Sequence, residues 1–241
     1  MARITLNSDC DPGDPFLGQV RGRFLALSPG GLELIDGLHA PGIGAQRLGF
    51  RLRRAWPWFP PQTLHLLLCD TGAASHWCLL QADDGQCLLG ADQEALGTAL
   101  PPGSTLTCRR FAIHDQGRFR ARDELPELAL RCLSGDLFEG DISTWRGPDP
   151  LQVSDNARSE HRLIDCDGFG NLISDAAPQP SRLPREAWLN GQALPIASGP
   201  YASLGDERAY LVMGCDGYLE VSRRGGAAGE GVLGALLELR W

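Results

Sequence analysis

The sequence contains no lysine; all 22 basic residues among its 241 are arginine. That absence excludes lysine Schiff-base chemistry and a Walker-type phosphate lysine. Positive charge is also short overall, since acids outnumber bases by 30 to 22 and the formal charge is −8. Without clustered positive charge, neither nucleic acid nor an anionic membrane is an expected partner. No apolar run approaches the ~20 residues a membrane helix needs. No apolar leader follows Met1, so a cytoplasmic location is expected. The eight cysteines form no C-x-x-C pair, and the five histidines form no H-x-H or H-x-x-x-H pair, so no zinc site is read. Several cysteines sit in apolar runs (Leu68-Cys69, Trp77-Cys78-Leu79) and are expected to be reduced, mostly structural thiols. What the chain does have is 43% hydrophobic residues, 30 glycines and 17 prolines, the composition of a soluble, turn-rich globular protein.

Along the chain, Ile4–Leu6 reads as a strand that opens into Ser8-Asp9-Cys10-Asp11-Pro12-Gly13-Asp14, with Pro15 near the first position of a following helix. Strand, acidic loop, helix is how α/β domains place functional groups at the carboxyl edge of a sheet. A weak strand at 32–35 and a helix over 45–55 follow. Thr63–Cys69 is the strongest buried-strand segment and ends in Asp70 and a small-residue loop. Strands are expected at 77–82 and 86–89, and a helix at 123–134 with Asp123 as its N-cap. Beyond Trp145-Arg146-Gly147-Pro148 the pattern changes to short strands between Gly, Pro and Asn, at 161–165, 171–174, 209–213, 218–222 and 236–240. The expected fold class is therefore α/β, an N-terminal α/β/α sandwich domain at 1–146 followed by a linker at 147–158 and a small C-terminal all-β barrel domain at 159–241.

The acidic residues Asp9, Asp11 and Asp14 fit a solvated turn or, at alternate spacing, a divalent-metal loop. An acid such as Asp70 after a buried strand points to function, because burying it unpaired is expensive. His65, inside an apolar strand, reads as a satisfied core histidine.

In order along the chain, Ile4-Thr5-Leu6-Asn7-Ser8-Asp9-Cys10-Asp11-Pro12-Gly13-Asp14-Pro15, Asp36 with His39, Phe59-Pro60-Pro61, Asp70-Thr71-Gly72, Phe119-Arg120-Ala121-Arg122-Asp123, Phe169-Gly170-Asn171-Leu172-Ile173 and Gly217-Tyr218-Leu219-Glu220 resemble the motifs of one family. It is the family of SAM hydroxide adenosyltransferases (adenosine-forming SAM hydrolases) and the SAM-dependent fluorinases and chlorinases. The resemblance implies hydrolysis of SAM to adenosine and L-methionine by water or hydroxide attacking the 5′ carbon in line. SAM is then substrate and no cofactor or metal is implied. It implies a homotrimer with sites at subunit interfaces. The substrate-binding residues it implies are Asp9, Asp14, Trp77, Phe169, Asn171, Cys215 and Ala227, with Asp14 accepting from the ribose hydroxyls. For catalysis it retains Asp70 but departs elsewhere: Trp77 stands where the family has Arg, and Arg120 where it has His. A permuted set of Asp70, Arg120 and His76 is the expectation, provided the loop shifts register, since strand neighbours face opposite ways. Two alternatives stand beside it: a protein on the same scaffold that binds SAM or a nucleoside without turnover, and a metal-assisted hydrolase using the Asp9/Asp11/Asp14 loop.

Overall fold

A computed structural model of the chain describes residues 2–28, 30–69, 74–92, 94–114, 119–136, 140–179, 182–199, 204–205, 208–229 and 232–241. The chain divides into two compact units, Met1–Pro148 and Asp149–Trp241. Each has its own core.

Among its described residues the first unit holds seven strands, β1 (Ala2–Ser8), β2 (Leu32–His39), β3 (Thr63–Leu68), β4 (His76–Gln81), β5 (Cys87–Ala91), β6 (Thr105–Ala112) and β7 (Asp141–Arg146). They form one sheet in the order β2-β1-β3-β5-β4-β6-β7. The first four of that order run parallel, and β4 pairs antiparallel with both neighbours. Among the described residues five α-helices accompany it: α1 (Pro15–Leu27), α2 (Ala45–Ala55), α3 (Glu94–Ala99), α4 (Arg120–Asp123) and α5 (Leu125–Ser134). β3 is buried along its whole length, because its two faces feed two cores. Leu64, Leu66 and Leu68 pack with Leu17, Val20 and Phe24 of α1 and with Leu125 and Leu128 of α5. Leu67 packs with Leu48 and Leu52 of α2 and with Leu96 of α3. Residues 17, 20 and 24 follow helical spacing, and each such side chain contributes about 1.5–3 kcal/mol on burial. This is an α/β/α sandwich.

The second unit is all β: β8 (Leu151–Gln152), β9 (Arg158–Cys166), β10 (Leu172–Ser174), β11 (Pro178–Gln179), β12 (Glu186–Leu189), β13 (Gln192–Ala193), β14 (Ala209–Met213), β15 (Leu219–Arg223) and β16 (Leu236–Arg240). Seven of them form a curled antiparallel sheet in the order β13-β12-β16-β9-β10-β15-β14, around Leu163, Leu172, Leu211, Val221 and Trp241. The segment expected as a linker carries β8, which pairs with β11.

The expected helix at 123–134 is two helices. Pro126 has no amide proton to bond the Arg122 carbonyl, so the ladder breaks there. Asp123 ends α4, and α5 starts after Glu124 without a side-chain cap. All eight cysteines are free thiols. Among the described residues no helix is long and apolar enough to cross a membrane.

Candidate functional site

The carboxyl ends of β1, β2, β3 and β5 share one edge of the sheet with the start of β4 and the end of β6. The strand order turns back at β1, the position where open α/β sheets bind ligands. The loop 9–14 crosses this edge. Asp9 donates its amide to the Leu68 carbonyl of β3 (3.2 Å), and the Ser8 carbonyl accepts from Ala40 beyond β2 (3.0 Å). Asp14 is the N-cap of α1, its Oδ1 accepting the Phe16 amide at 2.8 Å ahead of Pro15. Both Asp11 and Asp14 are exposed. Burial first, then the charges of Asp9 and Asp14, push the Cys10 thiol above its usual range, so it stays protonated and unreactive. Asp9 and Asp14 thus sit together on one loop. Among the described residues no three His, Cys, Asp or Glu side chains are grouped to hold a metal ion.

Beneath that loop runs a polar chain. Ser8 Oγ accepts the Cys10 amide (3.3 Å) and meets His39 Nδ1 at 2.8 Å. His39 Nε2 meets Asp36 Oδ1 at 3.3 Å. The same oxygen accepts from Arg21 Nε (3.0 Å) and Nη2 (2.7 Å) of α1. Burial alone raises the Asp36 carboxyl, but the hydrogen bonds from Arg21 and His39 outweigh it and hold it below the usual range. The sequence marks Asp36 and His39 as motif residues. The D-x-x-H spacing at a strand end is the one signal of their pairing.

Asp70 lies outside the described residues. Arg120 begins α4 and its Nη1 donates to the Ala74 carbonyl at 3.4 Å, so the guanidinium is directed at the residues just ahead of β4. His76 opens β4 and its Nδ1 meets Ser75 Oγ at 2.8 Å. Pairing in β4 is unbroken from His76 to Gln81, so His76 and Trp77 face opposite sides of the sheet; residues 70–73, where a shift in register would fall, lie outside the described residues. Trp77 is 2% exposed, packs in the α1/α5 core, and donates its indole N–H to Glu124 Oε2 at 3.2 Å. That same oxygen accepts the His114 amide. Glu124 was not anticipated; its partner is 47 residues away. Beside it, Arg122 grips Asp123 with two bonds (2.6 and 2.8 Å) and reaches Gln19 of α1 (2.9 Å). Phe119, half exposed, lies 6.0 Å from Phe16 between ring centroids.

In the barrel unit, the turn after β9 is organised by Asp167, which sequence reading missed. Its Oδ1 accepts the amides of Phe169 and Asn171, each at 2.9 Å, and its Oδ2 accepts Asn171 Nδ2 at 2.9 Å. The amide oxygen of Asn171 therefore points away from Asp167. Gly170 has φ +84°, and a Cβ there would come within 2.6 Å of Ala227. Only glycine allows that approach, and the Ala228 amide closes it on the Gly170 carbonyl at 2.9 Å. Phe169, Asn171 and Ala227 are thus brought together. Phe169 is 82% exposed. It borders a cavity of about 550 Å³ with Asn171, Met213, Glu220 and Gly226, a volume suited to a small organic ligand. Cys215 is exposed on the separate turn between β14 and β15.

A mixed α/β domain with an acidic loop at its strand edge, followed by a curled all-β unit with a glycine-closed turn, is the architecture of a SAM-processing class of enzymes. Residues 4–140 match the model of the SAM hydroxide adenosyltransferase N-terminal domain, and the chain belongs to that family. Its fold is shared with an uncharacterized conserved protein from Thermotoga maritima (16% identity, covering 98% of this chain and 99% of that one, TM-score 0.76). It is shared as well with a conserved hypothetical protein from Thermus thermophilus (22% identity, all of both chains, TM-score 0.76). No curated protein matches the chain.

Proposed function

We propose that the protein hydrolyses SAM to adenosine and L-methionine. The observation that carries this reading is Asp14: within a domain of this family it stands exposed at the strand edge, with Oδ1 spent on the helix cap and Oδ2 making no hydrogen bond to a described residue. A carboxylate is acceptor-only and suits the two ribose hydroxyls. Phe169, Asn171 and the backbone at Ala227 of a neighbouring subunit would hold the nucleoside from the barrel side, with Asp9 on the α/β side and Cys215 near the methionine head; Trp77, buried in the core, would act only by shaping the site from behind. Water forms the bond to the 5′ carbon as the C5′–S bond breaks; methionine leaves as a neutral thioether and the water proton passes to a base. The sulfonium is already a good leaving group, so the protein must mainly hold water in line and exclude competing solvent. Asp70 and Arg120 are proposed for that work. His76 belongs to the set only through substrate that reaches its face of β4. The homotrimer with shared sites, a cytoplasmic setting and the lack of any cofactor belong to the same proposal.

Incubation with SAM, followed by chromatography, tests it: adenosine should accumulate, and none above a denatured control overturns the reading. Asp70→Ala and Arg120→Ala should each abolish turnover. Retained activity in His76→Ala would assign the chemistry to an Asp–Arg pair. A second reading, binding without turnover, is favoured by Trp77, because the position where the family carries Arg offers a buried indole already held by Glu124. Adenosine bound in calorimetry with no product from SAM would establish that alternative.

A further inference from the structure

We propose that His39 is a positioning residue, fixing the acidic loop 9–14 so that Asp14 meets the nucleoside hydroxyls; this rests on the reading of Asp14 given above. Ser8 is fully buried; its Oγ accepts the Cys10 amide and lies 2.8 Å from His39 Nδ1, and donating the hydroxyl proton to that nitrogen satisfies both groups at once. Nδ1 is then an acceptor, which places the ring proton on Nε2. Nε2–H faces Asp36 Oδ1 at 3.3 Å, and that oxygen is anchored by two N–H groups of Arg21. Each hydrogen bond in the chain from Cys10 to Arg21 then joins one donor to one acceptor.

The chain links the parts that determine where Asp14 lies. Cys10 starts the loop, and Arg21 stands two helical turns after the Asp14 cap of α1. Asp36 and His39 belong to β2, whose end is already tied to Ser8 through the Ala40 amide. The imidazole is 5% exposed, so it is unavailable to substrate and can act only through Ser8 and Asp36. A loop carrying Asp9, Asp11 and Asp14 repels itself, and a built-in brace opposes that spread.

The experiment uses the full chain and three readouts. In His39→Ala, hydrogen exchange at the Cys10 amide should accelerate, adenosine affinity by calorimetry should fall about tenfold, and KM for SAM should rise with kcat unchanged. His39→Asn, whose amide oxygen can replace the Nδ1 acceptor, should restore most of that affinity. Ser8→Ala should match His39→Ala, and the double variant should be no worse than either, because both interrupt one chain. A merely structural role would lower kcat through a smaller folded fraction and leave KM and adenosine affinity unchanged, and that result overturns the proposal. Unchanged Cys10 exchange in His39→Ala overturns it as well. Wild-type protein that binds no adenosine would overturn the functional reading instead, while Cys10 exchange would still decide whether His39 braces the loop.

Discussion

Single residues in this chain differ most in how burial treats their charged forms. Desolvation pushes the thiols of Cys78 and Cys132 up to about 12 and that of Cys87 up to about 11, so none ionises at neutral pH. Cys215 is exposed. A disulfide-exchange reagent at pH 8 should therefore label Cys215 rapidly and the other three only on unfolding; Cys215→Ser should remove the fast phase. His65 shows the same physics in an imidazole. It is fully buried between Trp56 and Phe59, with Nδ1 on Thr5 Oγ1 (2.8 Å) and Nε2 on Gln86 Oε1 (3.1 Å). Burial lowers its pKa, against smaller raising effects from Gln86 and Asp84. The unfolded chain therefore takes up this proton first, and stability must fall as pH drops below the unfolded value of about 6.5. His65→Asn should flatten that segment of the stability-versus-pH curve measured by urea unfolding. His65→Ala should cost ~3 kcal/mol, because it leaves two buried polar groups unmatched and opens a cavity.

At the scale of elements, Asp14 has two roles that one substitution separates. As N-cap it contributes about 1 kcal/mol to α1, and asparagine caps as well as aspartate does. As a ligand group it supplies a second carboxylate oxygen, which asparagine replaces with a donor. Asp14→Asn should therefore keep the thermal midpoint within a degree or two and weaken adenosine binding about tenfold or more. Asp14→Ala should lose both. Equal adenosine affinity in wild type and Asp14→Asn would remove the carboxylate from the site. Local sequence makes some of these elements legible. The expected bounds of α2 match because Leu48 and Leu52 recur at helical spacing between Gly44 and Trp56, and β3 stands out as an apolar run. β6 does not: Arg109 and Arg110 mask a strand whose stability comes from pairing with β4 and β7, which no local pattern records. The site divides the same way. The loop with Asp14 and the Phe169-Gly170-Asn171 turn are legible as motifs. Glu124 and Asp167 are not, because the first acts on an indole 47 residues away and the second acts mainly on backbone amides.

At the scale of the whole molecule, the two units have separate cores, one built on Leu64, Leu66 and Leu67 with the helices around them, the other on Leu163, Leu172 and Val221. Units with independent cores need not unfold together, because cooperativity requires that loss of one core expose much of the other. Differential scanning calorimetry should therefore give a calorimetric enthalpy larger than the van't Hoff value, resolvable into two transitions. Gly170→Ala marks the second of them. Its Cβ would strike Ala227, and its φ of +84° suits glycine, so the barrel transition should move down by an amount equivalent to about 1–3 kcal/mol while the α/β transition stays in place. Adenosine adds a linkage test. A ligand at a hundred times its Kd stabilises whatever binds it by about 2.7 kcal/mol. If both Asp14 and the Asn171 turn hold the nucleoside, both transitions must rise with ligand, and Gly170→Ala must reduce the rise in each. A rise confined to the α/β transition would take the barrel turn out of the site and leave Asp14 as the sole anchor.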